Sequence, residues 1–340
     1  MKLALDAMGG DLGPRVIIDG ALLALERDEL SISLVGDEGV VRQHLEQIPG
    51  KQKPLLDRVD VVHAPTAVGM DENPVDAIRK KRDSSIMTAF ELVKTGEVSA
   101  AVSAGNSGAT LAAGVRKLGR LKNVARPGLA TVFPTLKGPV VMMDVGANVE
   151  CRPVHLYQFG VMASAVSRIY HVEKPRVGLL TIGEETGKGN NLIKEAYSLL
   201  DRSRLNFIGN IEGRDIFKGD VDVVVCDGFV GNICLKISEG LVVAAMKMLR
   251  EEILKSTLAK IGYLLARPAF KKFGKKVDYA EYGGAPLLGI KGIGIVCHGK
   301  SNSLAIKNAV IGAIEMEQLG LNELIESDLA AGLENGEKGF

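Results

Sequence analysis

Short apolar runs rich in Val, Ile and Leu recur along this chain at intervals that mostly leave room for one helix between neighbours. This rhythm constrains the fold more than any other feature. The runs are Leu3–Leu5, Ile32–Val35, Val59–Val62, Ala100–Val102, Leu129–Phe133, Val140–Met143, Val177–Ile182, Val221–Val225 and Ile293–Val296. Most lack polar alternation, which suits strands covered on both faces. Between them, Val16–Leu25, Ala89–Val93, Leu111–Leu118, Leu156–Ile169 and Leu304–Met316 carry apolar residues at helical spacing. The alternation predicts an α/β fold, a mostly parallel sheet with helices on both faces. No linker rich in Pro, Gly or Ser divides the chain, so residues 1–322 are expected to form a single α/β domain. From about residue 231 to 276 the rhythm gives way to nearly continuous helix, an excursion expected to project from the body. Residues 323–340 are acidic and then Gly-rich, and are expected to fray.

With 340 residues, 46% of them hydrophobic, and a net charge of +1, the chain has ample material for a large core and no charge bias toward nucleic acid. Cys151, Cys226, Cys234 and Cys297 are scattered, without C-x-x-C or a nearby His at ligand spacing. Neither a disulfide framework nor a metal site is expected, and a reduced, cytoplasmic protein is the plain reading. The first apolar run is too short for a signal peptide and no apolar run approaches the length of a spanning helix, so a protein neither exported nor integral to a membrane is expected.

Six Gly-rich loops follow strands: "DAMGGD" (Asp6–Asp11), "SAGNSGA" (Ser103–Ala109), "DVGAN" (Asp144–Asn148), "IGEETGKGNN" (Ile182–Asn191), "DGFVGN" (Asp227–Asn232) and "HGKSN" (His298–Asn302). In an open parallel sheet such loops gather at the carboxyl edge, where ligands bind. Glycine lets backbone N–H groups turn outward, and the helix start that follows favours an anion such as phosphate. Any α/β protein turns from strand to helix with Gly and Asn; it is the recurrence of six rich loops that favours a shared site. Gly9 and Gly10 are expected to offer ligand-facing backbone, and Ser103, Asn106, Ser107 and Asn148 to offer side-chain donors. Asp11 is read as framework near the helix that Pro14 begins. Gly183–Lys188 falls one residue short of a P-loop and has Gly189 in place of Ser or Thr, and no G-x-G-x-x-G follows a strand. No serine or cysteine stands in a nucleophile motif. What remains is a set of backbone donors, carboxamides and one lysine, suited to holding an anion and stabilising charge on a reacting oxygen.

In their fixed order, "LALDAMGGDLGP", "SAGNSGA", "DVGAN", "GEETGKGN", "DGFVGNICLKISEG" and "GGAPLLGIKGIGIVCHGKS" closely resemble the motifs of the PlsX-type phosphate acyltransferases. The resemblance runs from Leu3 to about Ala313, and Ser107 stands where many members carry Thr. It implies transfer of a long-chain fatty acyl group from acyl carrier protein to inorganic phosphate, giving acyl phosphate for phospholipid synthesis. It also implies a fold similar to the isocitrate and isopropylmalate dehydrogenases and to phosphotransacetylase, a homodimer, peripheral membrane association, no cofactor and no covalent acyl-enzyme. Lys188 and Asn232 match the family's catalytic lysine and asparagine. Lys188 is expected to neutralise phosphate or the developing oxyanion, and Asn232 to donate to the same charge or to cap a helix. Asp6 and His298 remain candidates for positioning or proton movement, with structural roles open to both.

In the excursion, Leu258, Ile261, Leu264 and Leu265 interleave with Lys260, Arg267, Lys271 and Lys272. An apolar stripe beside a dense positive face suits an anionic membrane interface or an acidic carrier protein, and packing in a dimer explains the stripe equally well. Two further readings stay open: a phosphotransacetylase-like enzyme on short acyl-coenzyme A, and a non-catalytic protein that binds carrier protein or membrane.

Overall fold

The computed structural model describes residues 1–334 apart from Asp28 and Asp278. Its strands are β1 (Lys2–Asp6), β2 (Ser31–Gly36), β3 (Val59–His63), β4 (Ala100–Ser103), β5 (Gly128–Pro134), β6 (Pro139–Met143), β7 (Arg176–Leu180), β8 (Asn206–Ile211), β9 (Val223–Val225), β10 (Ala285–Leu288) and β11 (Ile293–Val296). The helices are α1 (Pro14–Ala24), α2 (Glu38–Glu46), α3 (Pro74–Lys80), α4 (Ser85–Thr95), α5 (Ser107–Leu118), α6 (Pro153–Ser167), α7 (Asn191–Asp201), α8 (Gly228–Lys255), α9 (Thr257–Val277), α10 (Ser303–Leu319) and α11 (Leu321–Glu334). All nine expected strands form, and β8 and β10 join them. β8, "NFIGNI", is broken by polar residues and Gly209, and β10, "APLL", is short and carries a proline, so neither reads as a buried apolar run.

One sheet holds every strand in the order β3-β2-β1-β4-β11-β10-β5-β6-β9-β7-β8. Both faces are covered, as the unalternating strands require. Leu3 and Leu5 of β1 pack on one face with α1, α6, α10 and α11, and Ala4 packs on the other with α4 and α5. Full burial of each such Leu contributes roughly 1.5–3 kcal/mol.

The strands do not all run the same way. β10 is antiparallel to both β11 and β5, and β5 is antiparallel to β6, while the other pairings are parallel. Strands β1, β2, β3, β4, β11 and β5 therefore point one way, and β6, β7, β8, β9 and β10 the other. Order and direction repeat outward from the β10–β5 contact. β11, β4, β1 and β2 on one side correspond to β6, β9, β7 and β8 on the other, a local two-fold arrangement with β3 as the extra strand.

Two expectations are corrected. The tail does not fray from residue 323: α11 runs to Glu334, and Leu321, Ile325 and Leu329, spaced four apart, are buried against the core that includes α6. Arg168–Asp328 at 3.2 Å and the Lys122 N–H donating to Glu326 at 2.7 Å fasten it further. Residues 335–340 of that expectation lie outside the described residues. Second, α8 is, among the described residues, a helix long and apolar enough by length and composition to cross a membrane. Lys236, Glu239 and Lys247 interrupt it, so no unbroken apolar run betrays its length.

The excursion forms as a helical pair, α8 and α9. Large apolar residues stand exposed on both, including Ile237, Leu241, Val243 and Met248 on α8 and Leu258, Ile261, Leu264 and Leu265 on α9.

Candidate active site

Each of the six Gly-rich loops leaves the carboxyl end of a strand and enters a helix, as expected, but they do not meet at one edge. The loops after β6, β7 and β9 emerge at one edge of the sheet, and those after β1, β4 and β11 at the other, because the two strand sets run in opposite directions. The local two-fold pairs them: β1 with β7, β4 with β9, β11 with β6. A shared wall of six loops within one chain is therefore replaced by two sets of three.

The edge formed by β6, β7 and β9 carries Lys188 and Asn232. Asp144, wholly buried at the end of β6, organises it. Its carboxylate accepts from the N–H groups of Leu129 (3.0 Å), Ala147 (3.2 Å) and Asn148 (2.6 Å) and from Asn148 Nδ2 (2.9 Å). Burial pushes its pKa up, and these donors oppose the shift. The same loop receives the start of α8, where the Gly228 N–H donates to the Asn148 carbonyl at 2.8 Å. A Cβ on Gly231 would stand 1.9 Å from the Asp144 carbonyl oxygen, so only glycine lets α8 approach this closely.

Asp227, not Asn232, caps α8, accepting from the N–H groups of Phe229 (3.0 Å) and Val230 (2.9 Å). The capping role considered for Asn232 is thereby excluded. Asn232 is exposed one residue beyond the close contact, its carboxamide over Gly146, whose Cβ position lies 3.6 Å from Asn232 Cγ. The main-chain angle φ of +135° at Gly146 is one that side chains rarely adopt.

Lys188 lies in the loop between β7 and α7, and β7 pairs with β9. Adjacent strands are about 4.8 Å apart, so the Lys188 and Asn232 loops leave the sheet side by side. The Lys188 side chain is half exposed, with Nζ 4.0 Å from a Glu185 carboxylate that is itself 72% exposed. That exposed pair contributes little to stability, which leaves the ammonium available to an anion. Asn190 caps α7 through the Ile193 N–H at 3.0 Å.

Burial disfavours the cysteines near this edge as nucleophiles. Burial pushes the Cys151 thiol up to about 12 and the Cys226 thiol well above its ordinary range, and it raises Cys234 as well. The reactive species, a thiolate, is suppressed at all three.

On the other edge most of the expected donors are committed within the protein. Ser103, buried, donates to Asp6 at 2.7 Å and accepts from the Gly105 N–H at 3.0 Å. Asp6 is buried, which raises its pKa against donors from Ser85, Ser103, Met8 and Gly9. Asn106 caps α5 through the Ala109 N–H at 3.0 Å and donates to the carbonyls of Met70 (2.9 Å) and Glu72 (3.1 Å). Gly9 is buried, and its Cβ position lies 2.7 Å from the Gly105 nitrogen, a close crossing of two loops. Gly10 is half-buried with φ +97°. Asp11 does not cap α1, whose cap is Gly13; its own N–H donates to the Gly299 carbonyl at 2.8 Å and joins the β1 and β11 loops. Ser107 and His298 are exposed, and His298 Nδ1 accepts from the Lys300 N–H at 3.1 Å.

Sequence reasoning missed Asp144 as the organiser of its loop and Asp227 as a cap. The second was legible, since an Asp directly before an apolar helix is a capping signal. The first was only partly legible: Ala147 and Asn148 donate from within "DVGAN" itself, whereas the Leu129 N–H arrives only through the β5–β6 pairing. Replacing Asp144 with Ala, which strands those donors, is expected to lower the unfolding free energy by about 3 kcal/mol. Urea denaturation checks this through a lower midpoint.

A family model described as fatty acid synthesis protein matches residues 1–324. The chain is 53% identical over 333 residues to a phosphate acyltransferase of Nitratidesulfovibrio vulgaris (strain DP4), covering 97% of this chain and 95% of that protein. It is likewise 53% identical over 330 residues to a phosphate acyltransferase of Geotalea uraniireducens (strain Rf4), covering 97% and 94%. Among solved structures it is similar to a phosphotransacetylase from Streptococcus pyogenes, with a TM-score of 0.61 at 17% identity over 93% of this chain and 94% of that one. A 4-hydroxythreonine-4-phosphate dehydrogenase from Klebsiella pneumoniae follows with a TM-score of 0.52 at 15% identity, covering 93% and 98%. These two likenesses establish the fold alone, and it is the fold that the motifs implied. With about half of its residues shared with named relatives along nearly its whole length, the chain belongs to the PlsX-type phosphate acyltransferase family.

Proposed function

We propose that this enzyme transfers a long-chain fatty acyl group from the thioester of acyl carrier protein to inorganic phosphate, at the edge formed by the β6, β7 and β9 loops. The observation that carries the reading is the placement of Lys188, an exposed cation, and Asn232, an exposed carboxamide, on the loops that follow neighbouring strands β7 and β9. A phosphate oxygen attacks the thioester carbonyl carbon, a C–O bond forms, and the tetrahedral oxyanion collapses with loss of the C–S bond. The carrier leaves as thiolate and takes up a proton from water. Lys188 holds the phosphate and Asn232 donates to the oxyanion, so no acyl-enzyme is required. Gly10, Ser107 and His298, on the other edge, are left with roles outside this step in the same chain.

Purified enzyme given long-chain acyl carrier protein should release carrier thiol only when phosphate is present. Turnover of acetyl-coenzyme A in its place would favour a phosphotransacetylase-like enzyme, and binding of carrier protein or liposomes without thiol release would favour a non-catalytic protein.

The exposed apolar residues of α9 beside Lys260, Arg267, Lys271 and Lys272 support peripheral contact of a cytoplasmic enzyme with an anionic bilayer, where a long-chain product is released. An acidic carrier protein fits the same charge, and the exposed apolar side of α8 fits a homodimer. Replacing Leu264 and Leu265 together with Asp is expected to weaken binding to anionic vesicles about tenfold or more, read by vesicle sedimentation. Phosphate-dependent thiol release from soluble acyl carrier protein should stay near normal.

A further inference from the structure

At the end of β8, the edge strand beside β7, Asn210 is buried, which is unusual for a carboxamide on an edge. The pairing register explains how it gets there. Phe207 lies opposite Val177 and Gly209 opposite Gly178, so Ile208 is an extra residue, and Gly209 follows it with φ +100°. Such a bulge re-aims the side chains beyond it, and bulges recur beside active sites. Here the next side chain is Asn210, turned toward the loop that holds Lys188. Its Nδ2 donates to the Glu185 carbonyl at 2.9 Å, and that carbonyl also accepts the Lys188 N–H at 2.9 Å. One oxygen thus ties the main chain of Lys188 to the sheet through Asn210.

The other end of the carboxamide is buried without a hydrogen-bond partner among the described residues. A buried acceptor left unpaired costs stability, whereas a small or apolar side chain in its place would not carry that cost. Stability alone does not account for an asparagine at this position.

We propose that Asn210 is a positioning residue for Lys188, fixing the turn from Glu185 to Lys188 so that the ammonium meets phosphate. The inference rests on the reading of Lys188 as the phosphate-holding cation. Asn210→Asp keeps the size and removes the donor, placing an oxygen against the Glu185 carbonyl. Asn210→Ser shortens the side chain beyond reach of that carbonyl and covers the case in which the aspartate variant does not fold.

The experiment measures kcat and the phosphate KM for the full chain, a dissociation constant for inorganic phosphate from thermal-shift titration, and Tm. Either folded variant should raise the phosphate KM and dissociation constant about tenfold, with kcat within about twofold and Tm within a few degrees of the parent. In a Lys188→Ala background the Asn210 substitution should add nothing to the loss of phosphate affinity, since it acts through the missing ammonium. An unchanged phosphate KM in both variants, or loss of activity only in step with loss of Tm, overturns the positioning role. Full phosphate affinity in Lys188→Ala alone overturns the reading of Lys188 instead, and the two failures are told apart.

Discussion

Replacing Lys188 with Ala is expected to lower kcat/KM for phosphate-dependent thiol release by about two to three orders of magnitude, and replacing Asn232 with Ala by about two. Lys188 supplies the positive charge on its loop, with the exposed Glu185 carboxylate 4.0 Å from its ammonium. Asn232 contributes a neutral donor, worth most where charge develops on the carbonyl oxygen, so its loss should fall on kcat more than on the phosphate KM. The double variant should be less impaired than the product of the single losses, because both groups serve one transition state. Thiol release measured across phosphate concentrations separates these effects. A double variant of full activity would refute the assignment of both residues.

The second large effect is on folding. Gly231→Ala puts a Cβ 1.9 Å from the Asp144 carbonyl oxygen and 2.9 Å from Cys226 Sγ, and the first of these is backbone that cannot rotate away. The start of α8 must then lift from the β6 loop, at an expected cost of about 3 kcal/mol or more, and carry Asn232 off Gly146. Gly240→Ala provides the contrast. Gly240 is exposed in the interior of the same helix with nothing near its Cβ position, so the substitution should stabilise by about 1 kcal/mol. Urea midpoints of the two variants should therefore move in opposite directions from the parent, and activity should fall only in the first.

The loops show where sequence reading succeeded and where it stopped. "DGFVGN" and "GEETGKGN" were recognisable as words, and the structure places both at strand-to-helix turns on neighbouring strands. The asparagines were less legible. Asn106, Asn190 and Asn302 are helix caps, each accepting an N–H three residues on, whereas Asn232 caps nothing and Asn148 serves Asp144 and Pro127. A carboxamide after a strand looks the same in sequence whether a helix or a ligand uses it. The tail failed for a related reason: its acidic composition hid Ile325 and Leu329, whose spacing from Leu321 matters only because α6 offers a face to cover.

By itself the sequence determined the α/β class, the nine principal strands, the helical excursion and the family, because burial pattern, turn chemistry and motif order are local properties. Only the tertiary structure decided which loops share an edge. A strand buried on both faces has the same apolar composition whichever way it runs, so its direction is invisible in the pattern. Direction follows from the connections: Thr135–Gly138 between β5 and β6, and Gly289–Gly292 between β10 and β11, are too short for a crossover helix and force hairpins. Two hairpins alone would cancel; the antiparallel contact of β10 with β5, strands distant in the chain, adds the third reversal and leaves the two halves of the sheet opposed. Together the three reversals part the six glycine loops into two sets and leave Lys188 and Asn232 on one edge.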